Sequence, residues 1–565
     1  MNRPTPALVS EAGARPLSRW VLWVLCLCYL LPGQWLRDAW RHADLTAYGY
    51  MASLARGDSA WLKPTLAGVG PEDGALLPYW LGAMAIRLFA FADPVLASRL
   101  PFVLALAGVL ALVWYAAFHL ARTESAQPAP FAFGGEADTV SYARAMADAA
   151  VLALLATLGL LQMGHEATGD VVQLLGVSLW TYALASAPYR GRRAQALMVL
   201  ALAGLALSGA PMLAQLLGLG GLVVCQFSRF EGARRLRWGL LTGMLLGGAL
   251  ASMIGAWGWR LHSMSWPQVD SWTRQLAWFT WPTLPLAIWT LWRWRAFLGS
   301  RHVAVPLTQW LVCLGAALAM GGSDRALLLT LPALAVLAAF ALPTLRRSWS
   351  GMVDWFSLFF FSVGALFIWA YYLALQTAWP PRLAANLQRL APDLAVRFEP
   401  LMLLMALLAT GAWVALVRWR SSRQRAALWR TLALPAGGVV LAWVLVMTLW
   451  LQPLNLGRSN TTLVQRLQAH IPATAQCVAA HGTPRSLWAS LETQGAWTVK
   501  VSPEAALVCD WMVQVLPRDA APQTPPGWSV AGAVERPTER DARYWVLAKR
   551  PVSALAAEKR QGRGG

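Results

Sequence analysis

Acidic side chains are scarce in this chain, so their positions indicate where chemistry could take place. The 565 residues include only 27 Asp and Glu against 47 Lys and Arg. Asp44 follows the first apolar segment, Asp73 comes 29 residues later, and Glu166 and Asp170 lie at the junction of the third and fourth apolar segments. Carboxylates of this kind suit general-base catalysis on a hydroxyl, and a basic residue such as Arg325 or a bound cation suits the handling of a phosphate.

The elements that must position these residues are long apolar segments. The chain is 57% hydrophobic and only 13% charged, whereas about a quarter of the residues in soluble domains are charged. Apolar runs of this length match a hydrocarbon core of roughly 30 Å. They lie at about 20–36, 99–121, 146–163, 169–187, 195–209, 211–227, 239–258, 277–296, 305–321, 326–344, 352–375, 399–418 and 431–452. The sequence therefore predicts an α-helical polytopic membrane protein with about thirteen transmembrane helices.

The distribution of arginine predicts the orientation of these helices. One set of connecting segments, at 189–195, 228–238, 293–301, 346–347 and 418–430, holds 17 Arg and a single acid. Positive residues favour the cytoplasmic side, so these segments are expected inside the cell. This assignment requires that residues 77–92 lie along the membrane surface instead of spanning it. The acids then share the periplasmic face of a bacterial inner membrane. Because the positive charge lies in membrane loops, nucleic acid is not an expected partner, whereas membrane lipids are.

The same topology predicts the domain organisation. Residues 1–19 form a cytoplasmic N-terminus, and 20–452 form the membrane domain, including a first periplasmic loop at 37–98 with juxtamembrane helices near 45–56 and 77–92. Short apolar runs between Gly- and Pro-rich turns predict a small periplasmic α/β domain at 453–550, followed by a disordered tail at 551–565. Cys477 and Cys509 lie in this domain and are expected to form a disulfide there.

Several short motifs follow one another along residues 20–345. They comprise an acid after the first span, an amphipathic helix, a Pro…Gly stretch, a second acid, an aromatic segment, a basic segment and three later motifs. In order they are Asp44, 48–56, Pro64…Gly68, Asp73, Leu77-Pro78-Tyr79-Trp80-Leu81, Ser98-Arg99-Leu100-Pro101, Glu166-Ala167-Thr168-Gly169-Asp170, Trp281-Pro282-Thr283-Leu284-Pro285 and Arg325 to Pro332. This order resembles the membrane glycosyltransferases of the GT-C fold, in the group that joins the protein O-mannosyltransferases and the aminoarabinose transferases of lipid A.

The resemblance implies an enzyme that moves a sugar from a polyprenyl-phosphate carrier to a periplasmic hydroxyl or phosphate on lipid A, another envelope glycan or a protein. It implies Asp44 as the general base, with Asp170 and Asp73 shaping the same cavity or helping to hold a cation. The residues implied in binding the phosphate or the substrate are Arg325, Tyr48, Arg99 and Tyr79, and the candidate metal ligands are His262 and Glu166. A divalent cation is the one cofactor considered, with no nucleotide or redox cofactor, and a monomer is expected.

Two differences between this sequence and the aminoarabinose transferases leave other functions open. Aminoarabinose transferases have a Lys where this chain has Gly74, and Lys-Gly-Pro where it has Ser208-Gly209-Ala210-Pro211. Two phosphate-binding lysines are therefore missing, which leaves a changed substrate or a catalytically inactive relative open. A transporter or flippase of lipid-linked sugars is a further alternative.

Overall fold

The structure is a computed structural model that describes residues 5–549, apart from 229, 259–261, 391–393, 395, 422–426, 537 and 540. The described chain is a largely helical membrane protein with a small sheet near its C-terminus. The helices are α1 (Arg19–Leu30), α2 (Ala43–Arg56), α3 (Leu77–Leu88), α4 (Pro94–Ala121), α5 (Thr139–Leu155), α6 (Leu158–Met163), α7 (Gly169–Leu207), α8 (Pro211–Gln226), α9 (Glu231–Ile254), α10 (Trp266–Phe279), α11 (Thr283–Arg293), α12 (Arg301–Ala319), α13 (Asp324–Leu328), α14 (Leu331–Ala341), α15 (Arg347–Thr377), α16 (Pro381–Leu390), α17 (Pro400–Ser421), α18 (Arg430–Leu449), α19 (Leu451–Arg458), α20 (Thr461–Gln468), α21 (Arg485–Thr493) and α22 (Ala505–Val508).

Each of the thirteen predicted apolar segments contains helix. Within the described ranges, seven helices are long and apolar enough to cross a membrane, namely α4, α7, α9, α12, α15, α17 and α18. Shorter apolar helices are α1, α8 and α14 together with the turn that follows it. The multi-pass architecture agrees with the sequence, and the number thirteen stays a prediction.

The long helix α7 is a hairpin of two antiparallel arms. Its backbone leaves the helical region at Arg190 and Gly191, and Gln173 in the first arm donates a hydrogen bond to the Ser208 carbonyl beyond the second, at 2.7 Å. The arms pack closely, since a methyl group added at Gly176 would lie 2.8 Å from the Leu205 side chain. These arms correspond to two separate predicted spans, 169–187 and 195–209.

The first loop forms two helices, α2 and α3, close to their predicted positions. With 12 residues, α3 is about 18 Å long and too short to cross a hydrocarbon core of about 30 Å. Its Arg87 donates to the carbonyls of Ala55 and Leu54 at the C-terminal end of α2, at 2.9 and 3.0 Å. A basic side chain there satisfies carbonyls that lack a partner within the helix, so this contact joins the two helices.

The C-terminal domain contains a five-stranded mixed sheet. Its strands are β1 (Cys477–Ala479), β2 (Thr498–Lys500), β3 (Trp511–Pro517), β4 (Trp528–Glu535) and β5 (Ala542–Lys549). The order is β2-β1-β3-β5-β4, with β1 parallel to both of its neighbours and β5 antiparallel to both of its own. The sheet lies within the predicted domain at 453–550, and the disulfide Cys477–Cys509 is confirmed. The predicted tail at 551–565 lies outside the described residues.

This domain packs directly on the first loop through α21 and α2. A methyl group at Gly49 of α2 would lie 2.7 Å from the Ala489 Cβ of α21, so only glycine allows the two helices to come this close. Polar contacts add to the interface, because Thr461 donates to Asp38 at 2.8 Å and Arg41 pairs with Glu539 at 3.0 Å. The loop and the C-terminal domain share one hydrophobic core.

Candidate functional site

The predicted acids meet where the first loop contacts the segment between α6 and α7. Asp44 lies in the first turn of α2, and one of its oxygens accepts a hydrogen bond from the Ala167 backbone N–H at 2.9 Å. Glu166 and Asp170 lie on either side of Ala167 and both contact Arg325 of α13. A single backbone hydrogen bond therefore connects Asp44 to the segment that carries the other two acids.

Asp44 is enclosed in this structure. Its side chain is 3% exposed, and its second oxygen accepts from the Trp40 N–H at 3.1 Å. The same oxygen lies 3.5 Å from Arg99 and 4.0 Å from Arg37. Burial alone would raise the pKa of Asp44, but the two guanidinium groups and the two backbone N–H donors outweigh it and lower the pKa. Asp44 is thus a stable carboxylate that faces donors on every side.

The two arginines around Asp44 are themselves held by backbone carbonyls. Arg99 donates to the carbonyls of Arg37 at 2.5 Å and of Asp38 at 2.7 Å, and Arg37 donates to the His165 carbonyl at 2.7 Å. Their side chains are 2% and 0% exposed. Arg99 therefore fixes the path of the chain between α1 and α2, and its predicted role in binding substrate stays a prediction.

Arg325 bridges two carboxylates. One guanidinium nitrogen lies 2.7 Å from Glu166 and the other 2.6 Å from Asp170. Glu166 also accepts from Gln162 at 3.0 Å, and Asp170 accepts from Thr168 at 3.2 Å. Burial opposes the charge of Arg325, but Asp170 and Glu166 raise its pKa overall. Arg325 is 31% exposed and Asp170 is 22% exposed, so this pair is the part of the cluster that a ligand can reach.

Asp73 lies beside Asp170 at a close approach of three backbone segments. One Asp73 oxygen accepts from the Ala75 N–H at 3.1 Å. Gly209 has a φ of +86°, and a methyl group there would lie 2.9 Å from the Asp73 Cβ. A methyl group on Gly169, next to Asp170, would lie 3.9 Å from the other Asp73 oxygen. Asp73 therefore lies close to the residue that precedes Asp170, and the predicted shared role of the two carboxylates stays a prediction.

The two tyrosines predicted to bind substrate lie on different helices, Tyr79 on α3 and Tyr48 on α2. Tyr79 is buried against Tyr50, with ring centroids 5.0 Å apart, and burial together with Asp73 raises its pKa. It therefore lies near the carboxylates. Tyr48 lies in α2, and burial, followed by the charge of Asp93, raises its pKa to about 12. Its role in binding substrate stays a prediction.

The described residues do not supply a ligand set for a metal ion. No group of three or more His, Cys, Asp or Glu side chains that could hold a metal occurs among them. The Glu166 oxygens are engaged by Gln162 and Arg325, so the Arg325 guanidinium takes the place that a cation would need. The His262 backbone N–H donates to the Ala319 carbonyl at 3.0 Å. The contacts of Glu166 therefore do not fit a metal ion at this position.

Two further residues belong to the site although the sequence did not single them out. His42 immediately precedes α2, two residues before Asp44, and its partial burial, followed by Arg41, lowers its pKa. Arg485 from the C-terminal domain donates to the Tyr50 hydroxyl at 2.6 Å and pairs with Glu72 at 3.2 Å. The position of His42 two residues before Asp44 was a usable signal, whereas nothing local to Arg485 predicts that it meets the first loop.

Comparisons with known proteins bear on the fold. No protein-family model matches the chain, and no curated protein matches it in sequence. Among solved structures, the chain is similar to ArnT from Cupriavidus metallidurans bound to undecaprenyl phosphate, with a TM-score of 0.56 and 13% sequence identity. The apo state of the same ArnT gives 0.56 and 15%, and in both cases 94% of this chain and 96% of that chain are covered. The chain therefore has the fold of ArnT over nearly its whole length, which agrees with the predicted GT-C architecture.

Proposed function

We propose that this protein is a membrane glycosyltransferase that moves a sugar from a polyprenyl-phosphate carrier to an acceptor hydroxyl or phosphate. The observation that carries the proposal is the Arg325–Asp170 pair, which is partly exposed and lies next to Asp73. In a chain with the fold of ArnT, this pair combines a cation for a leaving phosphate with a carboxylate for an acceptor proton. The fold similarity supports a carrier of the undecaprenyl-phosphate type, since one of the similar ArnT structures was solved with that molecule bound.

Arg325 has the geometry to stabilise the leaving phosphate. Its two terminal nitrogens bind Glu166 and Asp170 in a fork, and the same fork matches two oxygens of a phosphate. A donor phosphate that takes one of these positions replaces a carboxylate. Asp170 is the more exposed of the two carboxylates, with 22% of its side chain accessible against 6% for Glu166. Asp170 is therefore the one that the donor releases.

The release of Asp170 provides the base. The freed carboxylate accepts the proton of the acceptor hydroxyl, and the acceptor oxygen forms a bond to the anomeric carbon of the sugar. The bond from that carbon to the phosphate oxygen breaks, and the polyprenyl phosphate leaves with the electron pair beside Arg325. General-base assistance of this kind contributes about 10²–10⁴-fold in rate. Coupling it to donor binding means that the base becomes available only when a sugar can be transferred.

In this proposal Asp44 acts as a positioning residue. Both of its oxygens are engaged by donors and it is 2% exposed, so an acceptor hydroxyl has no free oxygen to approach in this conformation. Through the Ala167 N–H it holds the segment that carries Glu166 and Asp170. The sequence-based assignment of Asp44 as the base stays a prediction, and it would require the segment at 164–170 to move away.

Mass spectrometry of lipid A and other envelope glycans tests the proposal. A deletion strain should lack one saccharide mass, and the wild-type gene should restore it. The Asp170→Asn and Arg325→Gln variants should fail to restore it, with transfer at least about 10²-fold lower. Glu72→Gln is the matched control, because Glu72 lies one residue from Asp73 but its side chain is 66% exposed, and it should restore the product.

Two outcomes contradict the proposal. Full restoration by Asp170→Asn would show that this carboxylate is not the base. An unchanged product profile in the deletion strain, together with accumulated lipid-linked sugar on one side of the membrane, would favour transport over transfer. To separate the two roles of Asp44, activity is expressed per folded molecule at a temperature well below the melting transition. If Asp44→Asn then remains inactive while Asp170→Asn is active, Asp44 is the base.

A further inference from the structure

A second cluster of charged and polar side chains lies at the far end of the same helices. Arg99 and Arg122 are separated by 23 residues of α4 and its C-terminal end, which correspond to about 34 Å along a helix. Asp170 and Arg190 are separated by the first arm of α7, which is about 30 Å long. Both distances match the thickness of a membrane. Arg122 and Arg190 thus lie on the face opposite to the carboxylates.

Five residues from α7, α12 and the C-terminal end of α4, including the residue just after it, form this opposite-face cluster. The members are His119, Arg122, Tyr189, Arg190 and Arg301. The Tyr189 ring stacks on His119, with centroids 5.2 Å apart, and the Arg122 guanidinium lies 4.9 Å from the centre of the same ring. Arg190 donates to the hydroxyl of Tyr182, whose ring lies 6.0 Å from that of His119, and Arg301 donates to the Leu184 carbonyl of the same arm of α7.

The arginines of this cluster are not neutralised by acids. Within the part of the chain that the structure describes, no carboxylate pairs with Arg122, Arg190 or Arg301. Arg190 donates to the Tyr182 hydroxyl at 3.2 Å, and Arg301 donates to the Leu184 carbonyl and to Ser228. Within these described residues, the cluster therefore holds three arginines without a paired carboxylate.

The excess of positive residues on cytoplasmic loops explains exposed arginines, but it does not explain buried ones. Arg301 is 6% exposed and His119 is 4% exposed. Both ring nitrogens of His119 and the Nε of Arg301 lack a hydrogen-bond partner among the described residues. Buried groups of this kind are expensive unless they are paired. Tyr189, which is 42% exposed, leaves the cluster open toward the membrane surface.

We infer that this cluster is a binding site for the phosphoryl headgroup of an anionic membrane lipid. A phosphodiester next to the exposed Tyr189 ring would lie near the Arg122 guanidinium, which is 4.9 Å from the centre of that ring, and Arg190 is the next residue in the chain. Basic pockets between transmembrane helices bind such headgroups, and arginine is well suited to phosphate because its planar fork donates two parallel hydrogen bonds. The site is separate from sugar transfer, because about 30 Å of helix lies between it and Asp170.

Native mass spectrometry of the delipidated full chain in detergent tests this inference. The probes are a phosphatidylglycerol, a phosphatidylcholine with the same acyl chains, and inorganic phosphate. We expect the wild-type protein to retain phosphatidylglycerol in preference to phosphatidylcholine. Arg122→Gln and Arg190→Gln should each lower that retention about 5- to 10-fold. Both side chains reach the surface of the protein, so these variants are expected to fold.

Arg237→Gln is the matched control. Arg237 is an exposed arginine at the start of α9 that stacks on Trp238, and its loss should leave lipid retention unchanged. Equal retention of the two lipids would overturn the inference, as would equal losses in all three variants, which would reflect overall charge. Binding of inorganic phosphate without a phosphatidylglycerol adduct would show that the ligand is a free anion and would overturn the assignment to a lipid.

Discussion

Replacement of Asp44 by Asn is expected to lower the stability of the protein as well as its activity. Asp44 is the carboxylate that lies between two buried arginines, Arg37 at 4.0 Å and Arg99 at 3.5 Å. Asparagine has nearly the same shape but no charge. Its amide nitrogen would also face a donor, either the Trp40 or the Ala167 backbone N–H. The substitution thus removes the charge that compensates both guanidinium groups and at least one backbone hydrogen bond.

The size of the expected destabilisation follows from the burial of Asp44 and the two arginines. Breaking a buried ion pair by removing one partner costs about 3–5 kcal/mol, because the remaining charge stays uncompensated. All three side chains are at most 3% exposed, so solvent does not screen this loss. With an unfolding entropy of about 2.1 cal/mol/K per residue, a chain of 565 residues that unfolds as one unit would melt about 3–4 °C lower.

Intrinsic tryptophan fluorescence during heating measures this shift, since the chain has 33 Trp. Asp270→Asn is the matched control, because Asp270 is a 69% exposed partner of Arg274 within α10. Exposed pairs contribute about 0–1 kcal/mol, so the control should melt with the wild type. If Asp44→Asn melts within about 1 °C of the wild type, the two arginines do not depend on Asp44, and its positioning role is refuted.

Four further predictions use other parts of the structure. Alkaline phosphatase fused after Gly457 should be active, because the C-terminal domain shares the face of the carboxylates, and an inactive fusion would reverse the orientation. Cys509→Ser should destabilise the C-terminal domain by about 3–4 kcal/mol, measured by denaturant unfolding, because the disulfide closes a separation of 32 residues. Gly209→Ala should reduce sugar transfer, because the φ of Gly209 is +86° and an added methyl group would clash with the Asp73 side chain. Gly204→Ala is the control, since a methyl group there would meet no atom within 4 Å, and it should leave transfer unchanged. The lowered pKa of Asp44 means that its stabilisation is complete above the usual value of about 3.9 and is lost as the pH falls through the folded-state pKa. Melting temperatures measured between pH 7 and about pH 2 should show an acid-side loss that is smaller in Asp44→Asn, because this contribution is missing there.

The local pattern of apolar residues was sufficient to predict most of the helices and strands. The apolar runs became helices, and the short apolar runs of the C-terminal segment became strands, because hydrophobic length and alternation report directly on burial. The hairpin of α7 was predicted as two spans for the same reason. The disulfide was predictable because Cys477 and Cys509 lie in apolar runs of the one segment that the topology places in an oxidising compartment.

The arrangement of the site could be predicted only in part. The sequence identified Asp44, Asp73 and Asp170 as members of one face, but it did not indicate which of them a substrate can reach. That depends on contacts between distant residues, such as Arg325 with Asp170 across 155 positions. The enclosure of Asp44 depends on Arg99, which is held by the Arg37 carbonyl 62 positions earlier. Such pairings arise from tertiary packing and leave no periodic signal in the sequence.

The contact between α2 and α21 can form only late in the synthesis of the chain. Tyr50 and its partner Arg485 are 435 residues apart, so the first loop is made long before the domain that covers it. At about 5–20 residues per second, this interval is roughly 20–90 s. During that time the apolar face of α2, including Leu45 and Leu54, lacks its final partner. Ribosome stalling or truncation before residue 485 would therefore leave a membrane-inserted chain with an exposed apolar surface on its first loop. Chaperones and proteases on that side of the membrane would recognise such a surface.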